Sequence, residues 1–246
     1  MKATMMTEFR QQPSQRFHQA IVDNDMQLLQ WLVNNNKVDD ICNKEADENG
    51  WSSLMLAARY DRREIFQYLL DLGHEQEIIS TDSMGNTVPM ISAKYRHEDI
   101  CLMYLERYPQ TMSNVNRDGS SAINWAAQNG LDRVIDWILD HGGNVNQRDI
   151  EGNTPLHHAA SWNQYKTASL LLERDAQPGL KNHKGYTALE YSYSSSMDKH
   201  IRETSVRLQI KRQKRQAGSF SSSLPRSSID IAPPTPPKAT SPDRFK

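Results

Sequence analysis

The sequence predicts an all-α solenoid of helix-turn-helix repeats with a disordered Ser/Pro-rich C-terminal tail. Three observations predict it. Glycines recur at Gly50, Gly85, Gly119, Gly152 and Gly185, spaced 35, 34, 33 and 33 residues apart. Seven and eight residues after each come small side chains: Ala57/Ala58, Ser92/Ala93, Ala126/Ala127 and Ala159/Ala160, with Ser192/Tyr193 as a looser fifth. Fifteen and sixteen residues after each stand Ile65/Phe66, Ile100/Cys101, Val134/Ile135, Thr167/Ala168 and His200/Ile201. Self-similarity at a fixed period marks a stack of supersecondary units, none of which can bury its apolar side alone.

The clearest unit runs from Gly152 to Gly185. Gly152 supplies a turn that favours positive φ. Thr154 suits the N-cap of a first helix, and Pro155 its first turn, where no N–H is needed. Ala159 and Ala160 are small where two helices must approach closely, and Leu170 to Leu172 cover the buried side of the second helix. The run Gly152-Asn-Thr154-Pro155-Leu156-His157-His-Ala159-Ala160 resembles the ankyrin repeat. The resemblance implies a turn, two antiparallel helices and a returning loop per unit, and an ankyrin-repeat domain over residues 16–200 with five to six repeats including caps.

In chain order, residues 1–15 are polar and expected to be disordered. Residues 16–45 form an atypical first repeat, with Ala20-Ile21 at the small positions and Asn24 where a helix-connecting glycine belongs. Further repeats are expected at 46–80, 81–114, 115–147 and 148–180. In the second of these, Pro89 falls one residue later than Pro155 does, which predicts a shifted or irregular helix start. Tyr108-Pro109-Gln-Thr-Met also departs from the usual connection. A fifth unit opens at Gly185-Tyr186-Thr187-Ala188-Leu189 and decays into a polar cap. A basic helical segment follows at 201–216, and the disordered tail at 217–246.

Whole-chain properties narrow the function. The 246 residues carry a formal net charge of −1, so no global field points to nucleic acid or to an acidic substrate. Cys42 and Cys101 are isolated, which predicts a reducing compartment and no disulfide framework. The first residues lack an apolar signal core, and no apolar run approaches a membrane span, so an intracellular, soluble protein is expected. His157, His158 and His183 lack metal-ligand spacing. No nucleophile elbow, phosphate loop or kinase motif is present. No enzyme activity, cofactor or metal is therefore expected. Trp31, Trp125 and Trp137 fall on helix positions that face neighbouring repeats, and core packing is expected for them.

The informative set lies at the variable, exposed positions of the repeat on its concave side. Counting from each glycine, these are −2, −1, +1, +9 and +10. They hold Glu48, Asn49, Trp51, Arg59 and Tyr60; then Ser83, Met84, Asn86, Lys94 and Tyr95; then Arg117, Asp118, Ser120, Gln128 and Asn129; then Ile150, Glu151, Asn153, Ser161 and Trp162; then His183, Lys184 and Tyr186. Aromatic and arginine side chains anchor protein interfaces. Trp51, Arg59, Tyr60, Met84, Lys94, Tyr95, Arg117, Trp162 and Tyr186 are the candidate partner-binding residues.

The basic segment carries Lys199, Arg202, Arg207, Lys211, Arg212, Lys214 and Arg215 against one acid, Glu203. Three readings are open: a solvated capping helix, a site for an acidic partner or membrane surface, or a nuclear-import or nucleic-acid patch. Aromatics do not interleave with these charges, which disfavours nucleic acid. In the tail, Thr235 and Ser241 each precede proline with a basic residue at the third position on, the pattern of proline-directed kinase targets. The alternative for Pro233 to Lys238 is a polyproline ligand or an inert tail.

Glu48-Asn49-Gly50-Trp51-Ser52-Ser53-Leu54, Leu72-Gly73-His74, the Gly-Asn-Thr turns, the basic helix and the Ser/Pro tail together resemble the ankyrin accessory subunit of fungal target-of-rapamycin complex 2. That resemblance implies a non-catalytic protein bound to the subunits of a large kinase complex, cytoplasmic and peripheral to the plasma membrane. The competing reading is a nuclear ankyrin regulator of transcription that uses the basic segment for import or nucleic-acid contact.

Overall fold

The computed structural model describes residues 13–35, 50–75 and 78–221. Cys42, Glu48, Asn49, Thr235 and Ser241, and the tail beyond residue 221, lie outside the described residues. The chain divides into two units, residues 1–208 and 209–246.

The first unit is a row of helix pairs. They are α1 (Pro13–Asp23) with α2 (Met26–Asn34), α3 (Ser53–Arg59) with α4 (Arg63–Asp71), and α5 (Val88–Lys94) with α6 (Glu98–Arg107). Then come α7 (Ala122–Asn129) with α8 (Asp132–Asp140), and α9 (Pro155–Ser161) with α10 (Tyr165–Glu173). The last helix, α11, spans Ser195–Ser221. Among the described residues there is no β-strand, and an isolated bridge pairs Lys181 with Thr187. First helices pack on first helices from α1 through α9, and α6, α8 and α10 pack in a second row. The all-α solenoid read from the repeat period is the observed architecture.

One backbone device closes every helix pair. The residue between the two helices has positive φ: Asn24 at 60°, Asp61 at 54°, Arg96 at 68°, Gly130 at 74° and Asn163 at 55°. The next N–H then donates to a carbonyl five residues back, as in Arg62 to Ala57 at 3.0 Å and Gln164 to Ala159 at 2.9 Å. Left-handed backbone costs L-residues energy, least for Gly and for Asn or Asp, whose short polar side chains bond locally. Asn24 does stand in the glycine's place, and three of the five turns use Asn or Asp.

The small pairs are buried where first helices meet: Ala57 and Ala58, Ala126 and Ala127, Ala159 and Ala160. The buried face of the second row carries Ile65, Phe66, Leu69, Ile100, Tyr104, Val134 and Ile135. Burial at roughly 25 cal/mol per Å² of apolar surface makes this packing the main source of stability. The C-terminal carbonyls of first helices, which no intrahelical bond satisfies, are met by the next repeat. His97 Nε2 donates to the Arg59 carbonyl at 2.9 Å, and Gln164 Nε2 to that of Gln128 at 3.0 Å.

Four expectations need correction. The helix that contains Pro89 is not shifted: α5 starts at Val88 after Thr87, as α9 starts at Pro155 after Thr154. Pro89 takes the second helical position, whose N–H would be unpaired in any case, so nothing is lost. Trp31 is 48% exposed, not packed in the core, because the buried face of α2 is formed by Leu29 and Leu32. Pro13 to Gln15 begin α1 instead of belonging to the expected disordered N-terminus. Helix α11 also continues to Ser221, past the expected end of the basic segment at residue 216.

The unusual Tyr108-Pro109 link is a 3-10 turn, Pro109–Ser113. The Tyr108 hydroxyl donates to the His74 carbonyl at 2.8 Å, and its ring lies 5.1 Å from that of Tyr104. Beside them the buried Glu75 carboxylate accepts the hydroxyls of Tyr104 and Ser80. Burial pushes Glu75 above its ordinary value, against the effect of those two bonds.

Candidate protein-docking surface

The surface is built from the turns ahead of each first helix and from the ends of those helices. Each turn is held by one side chain three residues before its glycine: Asp82, Asn116, Asp149 and Asn182. The Oδ1 atom of each accepts two backbone N–H groups. Asp82 holds Met84 and Asn86 at 2.9 and 2.8 Å, and Asn116 holds Asp118 and Ser120 at 3.0 and 2.9 Å. Asp149 holds Glu151 and Asn153 at 2.9 and 2.8 Å, and Asn182 holds Lys184 and Tyr186 at 3.1 and 3.0 Å. This is the turn chemistry that Asn and Asp supply best. The sequence reading missed these residues, although they recur 34, 33 and 33 residues apart.

Successive turns are then tied together. Arg117 N–H donates to the Met84 carbonyl, Ile150 to Asp118 and His183 to Glu151, at 3.0, 2.8 and 2.8 Å. Asn116 Nδ2 donates to Asn86 Oδ1 at 2.8 Å, and Asn182 Nδ2 to Asn153 Oδ1 at 2.9 Å, both pairs buried. The turns come so close that a Cβ on Gly119 would lie 2.8 Å from Ile150 N. The side chains at −2 and −1 are therefore presented from a fixed frame, whereas the +1 residues Trp51, Asn86, Ser120 and Asn153, expected to be exposed, are buried because they pack or bond between successive turns.

The helix starts differ in their caps. Thr154 and His157 form a reciprocal box: His157 Nδ1 accepts the Thr154 N–H at 3.2 Å, while its Nε2 donates to the Tyr186 carbonyl at 3.0 Å. The expected role of this imidazole, bonding neighbouring turn groups, is the observed one. Burial lowers its pKa, opposed by the bond to Tyr186. Ser121 and Asn124 make the same box. Thr87 has Met90 in the partner position, and its buried hydroxyl has no hydrogen-bond partner among the described residues.

The candidate residues at the N-terminal end converge. The Arg59 guanidinium lies 4.5 Å from the Trp51 ring centroid, 5.3 Å from that of Tyr95 and 5.4 Å from that of Tyr60. Trp51 and Tyr95 meet edge to face at 6.2 Å. Trp51 is only 9% exposed, which corrects its assignment as an open anchor. The side chains of Arg59 and Tyr95 cover it, and a large indole gains most by such cover. Tyr60 is exposed, and Arg59 and Tyr95 are half-buried. Lys94 is exposed with its ammonium 5.0 Å from the Trp125 ring centroid. Met84, Arg117 and Tyr186 are exposed on the turns of Gly85, Gly119 and Gly185.

Toward the C-terminal end the surface deepens into a groove of about 330 Å³. Its walls include Asp118, Ser120, Gln128, Ile150, Glu151, Asn153, Ser161 and Trp162, all expected at exposed variable positions, although Ser120 and Asn153 are buried. Asp149, His158 and Tyr191 complete it. Trp162 is 58% and Ile150 64% exposed. Asp149 Oδ2 meets His158 Nε2 at 3.0 Å. Partial burial pulls the Asp149 carboxyl up, but the bonds from His158 and Asn153 outweigh it and hold the group below the usual range.

The basic residues divide between the two units. Within the first, Ser194 Oγ accepts the Met197 N–H at 3.2 Å at the start of α11, and Met197, Ile201 and Thr204 are buried. Lys199, Arg202 and Arg207 occupy the exposed side, and Arg202 pairs with Asp198 at 3.0 Å. This stretch is a packed helix with one wet basic face. Within the second unit, Lys211, Arg212, Lys214 and Arg215 are exposed on helical backbone. Among the described residues, no helix is long and apolar enough to cross a membrane.

A row of helix pairs linked by Asx-held turns, with variable side chains on the turns, defines a repeat-type interaction domain. The family described as Ankyrin repeats (3 copies) matches residues 17–113, 101–182 and 123–202, and the chain belongs to it. Its role is protein interaction. It is similar to the target of rapamycin complex 2 subunit AVO2 of Saccharomyces cerevisiae, 27% identical over 161 residues, 65% of this chain and 37% of that protein. It is also similar to BCL-6 corepressor-like protein 1 of Homo sapiens, 26% identical over 51% of this chain and 7% of that protein. The mitochondrial disaggregase of Bos taurus is 27% identical over 72% of this chain and 26% of that protein. The chain thus spans well under half the length of these relatives.

Proposed function

We propose that the chain is a non-catalytic interaction subunit that docks a larger protein assembly through its turns and first helices, the concave face of ankyrin domains. The observation that carries this is the stacking of Arg59 among Trp51, Tyr60 and Tyr95 at an exposed edge. A guanidinium held by aromatic faces loses little rotamer freedom on binding, which is the character of an interface anchor. Tyr60, Met84, Lys94, Arg117, Trp162 and Tyr186 supply further contacts, and Trp51 supports Arg59 from beneath.

The assembly is a target-of-rapamycin complex 2, at the cytoplasmic side of the plasma membrane. The similarity to the yeast subunit of that complex supports this reading, as do the residues that resemble that family. The exposed basic residues of α11 attract an anionic membrane surface, each worth about 1 kcal/mol near it. Phosphorylation of Thr235 and Ser241 would add about −1.5 to −2 charges each and oppose that attraction.

The second reading, a nuclear regulator of transcription, is favoured by the corepressor-like relative. Affinity purification of the tagged chain separates the two. Kinase-complex subunits among the captured proteins are expected. Capture of transcriptional regulators without them would replace the first reading by the second.

A further inference from the structure

The groove at the C-terminal end of the docking face differs in character from the Arg59 end. Asp118 and Glu151 are exposed on its rim, and Asp149 stands in its wall with its carboxyl held ionised. Glu151 is met by Lys184 at 3.4 Å, but both side chains are half exposed or more, and such a pair is worth little. His158 is hydrogen-bonded to Asp149, and the wall residues include no Lys or Arg. Trp162 and Ile150, two large apolar side chains more than half exposed, line the same groove. Monomeric proteins seldom leave such surface open inside a concavity without a use for it.

We infer that this groove takes an extended protein segment carrying a Lys or Arg beside an apolar side chain. The apolar side chain lies on Trp162 and Ile150, and the cation lies between Asp118 and Glu151. A guanidinium or ammonium also finds the indole face of Trp162, which favours cations. Charge complementarity selects the occupant: an acidic segment would meet the exposed carboxylates of Asp118 and Glu151, and no Lys or Arg stands among the groove's wall residues to offset them. The frame is rigid, since Asp149 and Asn116 fix the backbone on which Glu151 and Asp118 sit. Binding therefore spends little on ordering the site. This inference rests on the docking-face reading and goes further by stating what the partner presents.

Random short peptides displayed on phage, panned against the full chain, test it. The recovered peptides should carry Lys or Arg next to Leu, Ile, Phe or Met. Their affinity should fall about tenfold or more for Asp118→Lys/Glu151→Lys and for Trp162→Ala, and should fall as salt is raised. Asp118→Asn, a milder change at an exposed site, should give a smaller loss in the same direction. Thermal melts of each variant confirm that the fold is kept. Recovery of no peptide, of peptides without a basic residue, or of peptides that bind the charge-reversed variant equally well would overturn the inference. If the recovered peptides instead depend on Arg59 and Tyr60, the docking face stands and the groove assignment falls. If they depend on none of these residues, both fall.

Discussion

The Arg59 guanidinium sits 4.5 Å above the ring of Trp51, and Tyr95 of the next repeat closes the ring's edge at 6.2 Å. The two residues lie at +1 and +9 of one repeat, so the contact ties a turn to the end of its own first helix. Truncation of Trp51 to Ala removes a buried ring and leaves a cavity, with an expected loss of about 3–5 kcal/mol. Trp162→Ala, at an exposed position, should change stability by about 0.5 kcal/mol or less. Urea unfolding of the two variants decides the matter. Equal, small effects would show that Trp51 is open to solvent.

Thr154 and Thr87 occupy the same cap position in different repeats. The Thr154 box is complete, while the buried Thr87 hydroxyl has no hydrogen-bond partner among the described residues. Thr154→Val should therefore cost about 1–2 kcal/mol. Thr87→Val deletes an unsatisfied buried group and should be neutral or slightly stabilising. Equal losses in a chemical denaturation series would mean that Thr87 does cap its helix.

His157 is buried as the neutral ring, with Nδ1 accepting and Nε2 donating, and its folded pKa lies below 6.5. The unfolded chain then binds more protons than the folded chain as pH falls through 6.5. Its stabilising contribution is fully present above that value and is lost toward the lower folded pKa. Glu75 acts in the opposite sense, because its folded pKa is raised above 4.5. The stability difference between wild type and His157→Asn isolates the histidine. It should shrink on acidification from about pH 8 to about pH 5. A difference constant across that range would exclude this linkage.

Gly119 and Gly185 both have left-handed backbone, at φ 69° and 84°. An added methyl meets the Ile150 backbone at 2.8 Å in the first case and has nothing within 4 Å in the second. Ala at either position should cost about 1–2 kcal/mol for its conformation. Gly119→Ala should cost more, since two backbones must separate. Thermal melts that rank Gly185→Ala as the more damaging change would contradict the tight turn-to-turn stacking.

Much of this was legible in the sequence, for a physical reason. Each repeat solves the same packing problem, so Gly152, Ala159 and Leu171 have counterparts at a fixed distance that a single chain reveals. The groove was also legible in part: Asp118, Ile150, Glu151 and Trp162, at positions −1, −2, −1 and +10 of adjacent units, share its walls. The burial of Trp51 was not legible, since it depends on Arg59 and Tyr95 folding over it, and Tyr95 belongs to the next repeat. Pro89 misled because proline is costly inside a helix, whereas its true position is the second, where the missing N–H has no partner to lose. The Asp82, Asn116, Asp149 and Asn182 series was visible as a period but carried no hydrophobic signal to draw attention to it.

The most direct test compares the proteins captured by wild-type chain, by Arg59→Ala/Tyr60→Ala/Trp162→Ala, and by Lys166→Ala/Glu173→Ala on the exposed side of α10. Interface anchors typically cost about 2 kcal/mol or more each on truncation. The docking-face account predicts that the first variant melts close to wild type yet loses the captured assembly, while the α10 variant retains it. An assembly held equally by all three, or lost only with the α10 variant, would contradict it.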